Sequence, residues 1–221
     1  MRTGDWLVAA AMVVAVGDWV AVARGAKRAE YVLKPLVMVV LIAAAIALRP
    51  GNPTAVSGFT IVALALSLAG DVFLMLPRNL FVDGLASFLL AHVAYVGAFN
   101  PTAPPLGATL VGAAVVLAVG VPLFLRMVRG MRASGQDRLV VPVAIYLAAI
   151  GAMVVSAIAT VARPDWDAWH TAFANAGAAL FFASDSLIGW RRFVRPIRHG
   201  DLAVIVTYHL AQALLVLALL G

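Results

Sequence analysis

Residues 55–78 read AVSGFTIVALALSLAGDVFLMLPR, and this stretch decides the fold. Its apolar part, as a helix rising about 1.5 Å per residue, spans the ~30 Å hydrocarbon core of a bilayer. Pro77 and Arg78 mark where it meets a polar boundary. Inside it, seven residues before Arg78, stands Asp71. A carboxylate near the centre of a membrane helix costs roughly 2.5–3.5 kcal/mol, so it points to function.

The pattern occurs twice more. VVAVGDWVAVARG (13–25) places Asp18 six residues before Arg24, and LFFASDSLIGWRR (180–192) places Asp185 six before Arg191. Each carboxylate thus falls ~9–10 Å inside a polar boundary. Three at one depth suggest a shared polar site rather than three separate defects.

The whole chain follows suit. Of its 221 residues 64% are apolar and only 12% charged, with a mean hydropathy of +1.01. The apolar runs are continuous, not the alternating ~10-residue strands of a barrel. The expectation is an all-α membrane protein of eight transmembrane helices, near 6–23, 33–48, 55–76, 84–100, 106–125, 139–162, 168–190 and 202–220. They form one transmembrane domain over 1–221, with no room for a second, soluble one. Cysteine is absent, which excludes disulfides, thiolate nucleophiles and thiolate metal sites. The net charge of +6 is loop arginine, a topological signal rather than a nucleic-acid one. Ala21-Val22-Ala23 resembles a signal cleavage site, but the charge follows the apolar run and Asp18 is foreign to such a segment. Span 1 is therefore expected to be a true span.

Basic residues set the orientation. Arg24, Lys27, Arg28, Arg78, Arg126, Arg129, Arg132, Arg138, Arg191, Arg192, Arg195 and Arg198 fall in loops on one side; Arg2, Arg49 and Arg163 fall on the other. The positive-inside rule then predicts both termini outside, in the inner (plasma) membrane. Spans 1, 3 and 7 run inward, so Asp18, Asp71 and Asp185 share the cytoplasmic half. His92 and His209 lie roughly 12 Å below the same face, and Lys34 opens span 2 there. Tyr95 and Tyr208 are candidate donors to the same network. The site should open to the cytoplasmic side; His170 sits at the outer edge.

The two halves echo each other four spans apart. Leu33-Lys34-Pro35-Leu36 parallels Val141-Pro142-Val143, Ala69-Gly70-Asp71 parallels Ala183-Ser184-Asp185, and His92 parallels His209. Such a parallel repeat predicts Asp71 and Asp185 facing each other across a pseudo-two-fold axis.

Asp71 and Asp185 are the leading catalytic candidates. Both fall near the C-terminal ends of their spans, where the helix dipole disfavours an anion, so a capping role is disfavoured. Two nearby carboxylates in low dielectric do not both ionise easily, and a pair holding one proton suits general acid catalysis. Lys34 serves as counter-ion to Asp18 or Asp71, or contacts a lipid phosphate; Pro35 fits a first helical turn. A deep histidine in lipid favours function over packing. Metal binding by His92, His209, Asp71 and Asp185 is chemically open, but no H-x-x-x-H or H-E-x-x-H spacing supports it, so no metal or other cofactor is expected. Gly70, Gly84 and Gly177 suit close helix packing. The arginines of RRFVRPIRHG (191–200) suit anionic-lipid contact, or recruitment of a phospholipid headgroup. Trp6, Trp19, Trp166, Trp169 and Trp190 suit an interfacial belt.

Leu33-Lys34-Pro35, then SLAGDVFLML (67–76), FVDGLASFLLAHVAY (81–95) and GAALFFASDSLIGWRRF (177–193), in this order across eight spans, resemble the YhhN-like family of lysoplasmalogenases. The resemblance covers nearly the whole chain. It implies a hydrolase that cleaves the vinyl ether of a lysophospholipid, releasing a fatty aldehyde and a glycerophospho-base. It also implies Asp71 and Asp185 at the centre, with Lys34, His92 and Ser184 around them. Vinyl ether hydrolysis protonates the β-carbon, forms an oxocarbenium ion and adds water, needs comparable to glycoside hydrolysis by two carboxyl groups. Partners are then the lysolipid and membrane lipid, not nucleic acid, and the sequence leaves the oligomeric state open. Two rivals stand beside this reading: a metal-dependent lipid hydrolase, and a proton-coupled transporter, for which the outer half carries few polar residues.

Overall fold

The computed structural model describes residues 2–221. Among them are eight α-helices, each long and apolar enough to cross a membrane. They are α1 (Thr3–Ala23), α2 (Lys27–Leu48), α3 (Thr54–Met75), α4 (Phe81–Phe99), α5 (Leu106–Ala133), α6 (Val140–Ala159), α7 (Ala168–Phe193) and α8 (Gly200–Leu220). Short 3-10 turns, Asp137–Leu139 and Thr160–Ala162, flank α6. No strand occurs among the described residues. The chain is a multi-pass membrane protein.

Several helices outrun the apolar windows. α2 begins at Lys27 rather than at 33, so Lys34 lies about two turns inside the helix and Pro35 is interior to it. Pro35 lacks an N–H, and the carbonyl of Tyr31, one turn earlier on an exposed residue, forgoes its helical donor. α5 continues to Ala133 and α7 to Phe193, because arginine is a good helix former and a helix need not stop where lipid does. The longer α7 corrects one expectation. Asp185 is about two turns from the helix end, beyond the reach of the terminal dipole, so that argument holds for Asp71 alone.

Sequence neighbours pair as hairpins, with α1 on α2, α3 on α4, α5 on α6 and α7 on α8. α8 is the hub, packed also on α1, α2 and α3. One apolar core draws on α1–α4 and α6–α8. α5 contributes to a smaller cluster instead, Met127, Val128 and Met131 with Leu139, Val143 and Phe193. Large apolar side chains such as Val13, Val32, Leu106 and Val119 face outward, as a lipid-bathed surface requires.

Glycines set the closest approaches. A Cβ on Gly70 would lie 2.6 Å from the Phe88 ring, and one on Gly84 2.6 Å from Leu74, which lets α3 and α4 interlock. One on Gly177 would lie 3.0 Å from Leu215, at the α7–α8 seam. Ser87 Oγ donates to the Leu66 carbonyl at 2.8 Å and Ser184 Oγ to that of Val204 at 3.0 Å, one interhelical bond in each hairpin. At the far end, buried Arg163 donates to the Phe99 carbonyl at 2.8 Å and to Thr102 at 2.9 Å, and pairs with Asp165 at 3.0 Å. The Asp167 side chain caps α7, accepting from the His170 N–H at 2.9 Å.

Candidate active site

Two polar clusters form among the helices, each centred on one aspartate. α3 brings Asp71, almost wholly buried, against two partners from other helices. Lys34 of α2 donates to its Oδ1 at 3.0 Å, and Tyr208 of α8 donates to its Oδ2 at 2.7 Å. Lys34, then, is the counter-ion of Asp71. Its stem lies along the helices while its ammonium borders a polar cleft.

α7 brings Asp185 against α4 and α6. His92 Nε2 lies 3.1 Å from Asp185 Oδ2 and 3.0 Å from the Tyr146 hydroxyl, and Tyr146 donates to the same Oδ2. These three groups form a closed set able to hold and pass one proton. His92 Nδ1 has no protein partner.

Aromatic rings join the clusters. Phe181, fully buried, meets the His92 ring edge-on at 4.7 Å and the Tyr208 ring at 5.5 Å; Phe88 meets both Phe181 and Tyr208. No hydrogen bond links the two carboxylates among the described residues. Beyond Phe181, Tyr95 donates to Gln212 Oε1 at 2.5 Å, tying α4 to α8.

Asp18 stands apart. It is fully buried on α1, and neither carboxylate oxygen has a hydrogen-bond partner. The other expected partner for Lys34 is therefore not in contact with it. His209, also fully buried, accepts from Trp19 Nε1 at 3.2 Å through Nδ1, which leaves the proton on Nε2. It joins neither aspartate. Ser184 donates its hydroxyl to the Val204 carbonyl and so links α7 to α8. Among the described residues no three His, Asp or Glu side chains converge as a metal site would require.

Three residues enter that sequence reasoning passed over. Tyr146 and Gln212 are uncharged and blend into apolar spans, although each is a hydrogen-bonding group far from a span end. Trp19 reads as an interfacial anchor but is half-buried and bonded to His209.

Two clefts lead to the clusters. A narrow apolar cleft, with free space of only about 40 Å³, runs between α3, α4, α5, α6 and α7; Asp185 and Tyr146 are the lining residues with polar side chains. A wider polar cleft of about 470 Å³ is bordered by Lys27, Glu30, Lys34, Arg191, Arg192 and Asp201. Leu74, Phe81 and Ile188 line both, so the clefts adjoin. Chemically, the arrangement offers an apolar slot with the Asp185 carboxyl and the Tyr146 hydroxyl in its wall, beside a charged vestibule.

Comparison with known proteins matches this architecture to one family. The sequence model of the YhhN family matches residues 29–219. A lysoplasmalogenase from Mycobacterium tuberculosis (strain CDC 1551 / Oshkosh) is 32% identical over 96% of this chain and 82% of its own length. The human lysoplasmalogenase TMEM86B is 32% identical over 72% of this chain and 62% of its own length. A lysoplasmalogenase homolog from Dictyostelium discoideum is 32% identical over 74% of this chain. No solved structure gives a significant match. On the extent of the family match and of the mycobacterial similarity, this chain belongs to the YhhN family.

Proposed function

We propose that the protein is an intramembrane hydrolase that cleaves the vinyl ether bond of a lysoplasmalogen, with Asp71 and Asp185 as its acid–base pair. The relatives named lysoplasmalogenase support the reaction class. The single observation that carries the site assignment is Asp185 in the wall of an otherwise apolar cleft, backed by His92 and Tyr146.

In this reading the alkenyl chain enters the apolar cleft, which widens to take it, and the glycerophosphate lies in the charged vestibule. The vinyl ether then falls where the two clefts adjoin. The Asp185–His92–Tyr146 set delivers a proton to the β-carbon of the C=C–O group. The positive charge that develops on the α-carbon and ether oxygen is opposed by carboxylate in a site of low dielectric. Asp71, held by Lys34 and Tyr208, is the natural anion of the pair. Water adds to the α-carbon and gives up a proton to a carboxylate. The hemiacetal then collapses: its hydroxyl loses a proton, the C–O bond to glycerol breaks, and the glycerol oxygen is protonated. The products are a fatty aldehyde and a glycerophospho-base, and the enzyme regains its starting protonation.

Two architectural readings go with this one. The clusters use corresponding helices of a parallel repeat: Asp71 of α3 takes partners from α2 and α8, while Asp185 of α7 takes them from α6 and α4. Tyr95 and Gln212, each three residues after His92 and His209, bond to one another, as residues beside a pseudo-two-fold axis would. The arginine bias supports both termini outside, one transmembrane domain in the plasma membrane, and a vestibule open to the cytoplasm.

The test is to incubate purified protein with vinyl-ether, alkyl-ether and ester lysolipids and to assay aldehyde. Aldehyde from the vinyl ether alone is the expected result. Fatty acid from the ester, or no product from any, overturns the reading.

A further inference from the structure

The vestibule is rich in charge, and most of that charge is already matched. Four basic residues border it: Lys27, Lys34, Arg191 and Arg192. Lys27 pairs with Glu30 at 2.8 Å, Lys34 with Asp71 at 3.0 Å, and Arg191 with Asp201 at 2.8 Å. Arg192 has no carboxylate partner among the described residues. The residue is exposed, yet its guanidinium is held against an aromatic ring. Its guanidinium carbon lies 3.8 Å from the centroid of the Phe81 ring, a cation–π contact, with Phe193 5.8 Å away on another side.

Phe81 gives that contact its meaning. The ring lines the apolar cleft that Asp185 also lines, and the charged vestibule as well. The contact with it holds the guanidinium at the place where an apolar tail would give way to a polar head. A planar fork of N–H donors held in place is the arrangement that suits a phosphodiester. Arg138 borders a further cleft, which shares Arg192 and Phe81 with the vestibule but is not lined by Lys34.

We propose that Arg192 is the phosphate anchor of the substrate: it binds the phosphodiester monoanion of a single-chain lysophospholipid and so selects phospholipids over neutral ether lipids. This rests on the proposed hydrolase reading for the identity of the tail, and it names the residue that would recognise the head. Lys34, spent on Asp71, and Arg191, spent on Asp201, are positioning residues in this scheme.

The test separates binding from turnover. Binding of two non-hydrolysable probes, an alkyl-ether lysophosphocholine and the matching alkylglycerol without phosphate, is measured on wild type, Arg192→Gln, Arg192→Lys and Arg138→Gln. Charge-assisted bonds of this kind correspond to about ten- to hundredfold in affinity. Wild type and Arg138→Gln should prefer the phosphate-bearing probe by that factor. Arg192→Gln should lose the preference and keep its affinity for alkylglycerol, and Arg192→Lys should restore part of it. With the vinyl-ether substrate, Arg192→Gln should raise KM by a similar factor at nearly constant kcat. A preference that survives in Arg192→Gln, is absent from wild type, or disappears in Arg138→Gln overturns the assignment. Displacement of the probe by diacyl phosphatidylcholine at equal concentration would mean that the arginine holds bilayer lipid, and overturns it too. If wild type releases no aldehyde, the hydrolase reading fails, while the binding arm still decides the role of Arg192.

Discussion

Replacing Lys34 by methionine is the sharpest test of how the Asp71 cluster is held. Methionine keeps the length of the stem and removes the charge. At the observed 3.0 Å, the lost attraction is about 5–6 kcal/mol for an effective dielectric of ~20. The full amount will not appear, because the stranded carboxylate can take up a proton. Holding a proton costs about 1.4 kcal/mol for each pH unit above an ordinary carboxylate value of ~3.9, or about 4 kcal/mol at pH 7. Both routes agree with the roughly 3–5 kcal/mol lost when one partner of a buried pair is removed. Lys34→Met should therefore lose about 3–5 kcal/mol at pH 7, and less as pH falls. Asp71→Asn should lose little, since the Lys34 ammonium can turn into the vestibule. Combining the two should recover most of the loss, because asparagine can still accept from Tyr208. The assay is reversible unfolding in mixed micelles, followed by tryptophan fluorescence, as a double-mutant cycle at two pH values. A loss below about 1 kcal/mol in Lys34→Met, or no recovery in the double variant, would refute a dry, mutually dependent pair.

Other outcomes follow from the same geometry. Asp71→Asn and Asp185→Asn should each lower turnover at least 10²-fold, a typical minimum for general acid–base catalysis, while Asp18→Asn should do less; aldehyde release checks all three. Gly130→Ala places a methyl on the Phe193 carbonyl, a backbone group that cannot step aside, and should destabilise by the upper end of roughly 1–3 kcal/mol in the same unfolding assay. The Asp167 carboxylate is held below the usual range, chiefly by the His170 backbone N–H. A depressed value means the cap persists below the ordinary carboxylate pH and is lost only as pH falls through the lowered value; exchange of the His170 amide should accelerate there and not near neutrality. A reporter placed in the connection between α5 and α6, at residues 134–136, should read cytoplasmic, and an outside signal would move the vestibule to the other face.

The helices were legible because lipid is an unforgiving solvent: a 20-residue apolar run has few alternatives to spanning. Their ends were less so, since nothing in hydropathy reports where a helix stops once it leaves the bilayer, as α2, α5 and α7 illustrate. Asp71, Asp185, His92 and Lys34 stood out through the cost of their ionisable groups. Which of them touch depends on helix rotation, a property of packing between distant segments. Hence the sequence left Lys34 between Asp18 and Asp71, and it gave no sign that His209 would turn to Trp19. Tyr146 was hidden for another reason. A tyrosine is cheap enough in lipid to pass as an anchor, so only its distance from the span ends hinted that its hydroxyl was needed inside.

The outlying position of α5 has a mechanical consequence. The helix touches the bundle at both ends: Gly130 meets Phe193 while Met127 and Met131 enter their small cluster, and Gly112 lies against Ile158 and Val155 of α6. Between these points a groove of about 370 Å³ lies among α5, α6 and Phe182, bordered by Gly120, Gly151 and several alanines. Leu147 lines both this groove and the cleft that holds Asp185 in its wall. Hydrocarbon from the surrounding bilayer borders that seam, so its width answers to lateral pressure as well as to the chain's own packing. Thickness and acyl composition of the host membrane thereby become variables of the cleft lined by Asp185, and a detergent micelle is a change of mechanical state as much as of solvent.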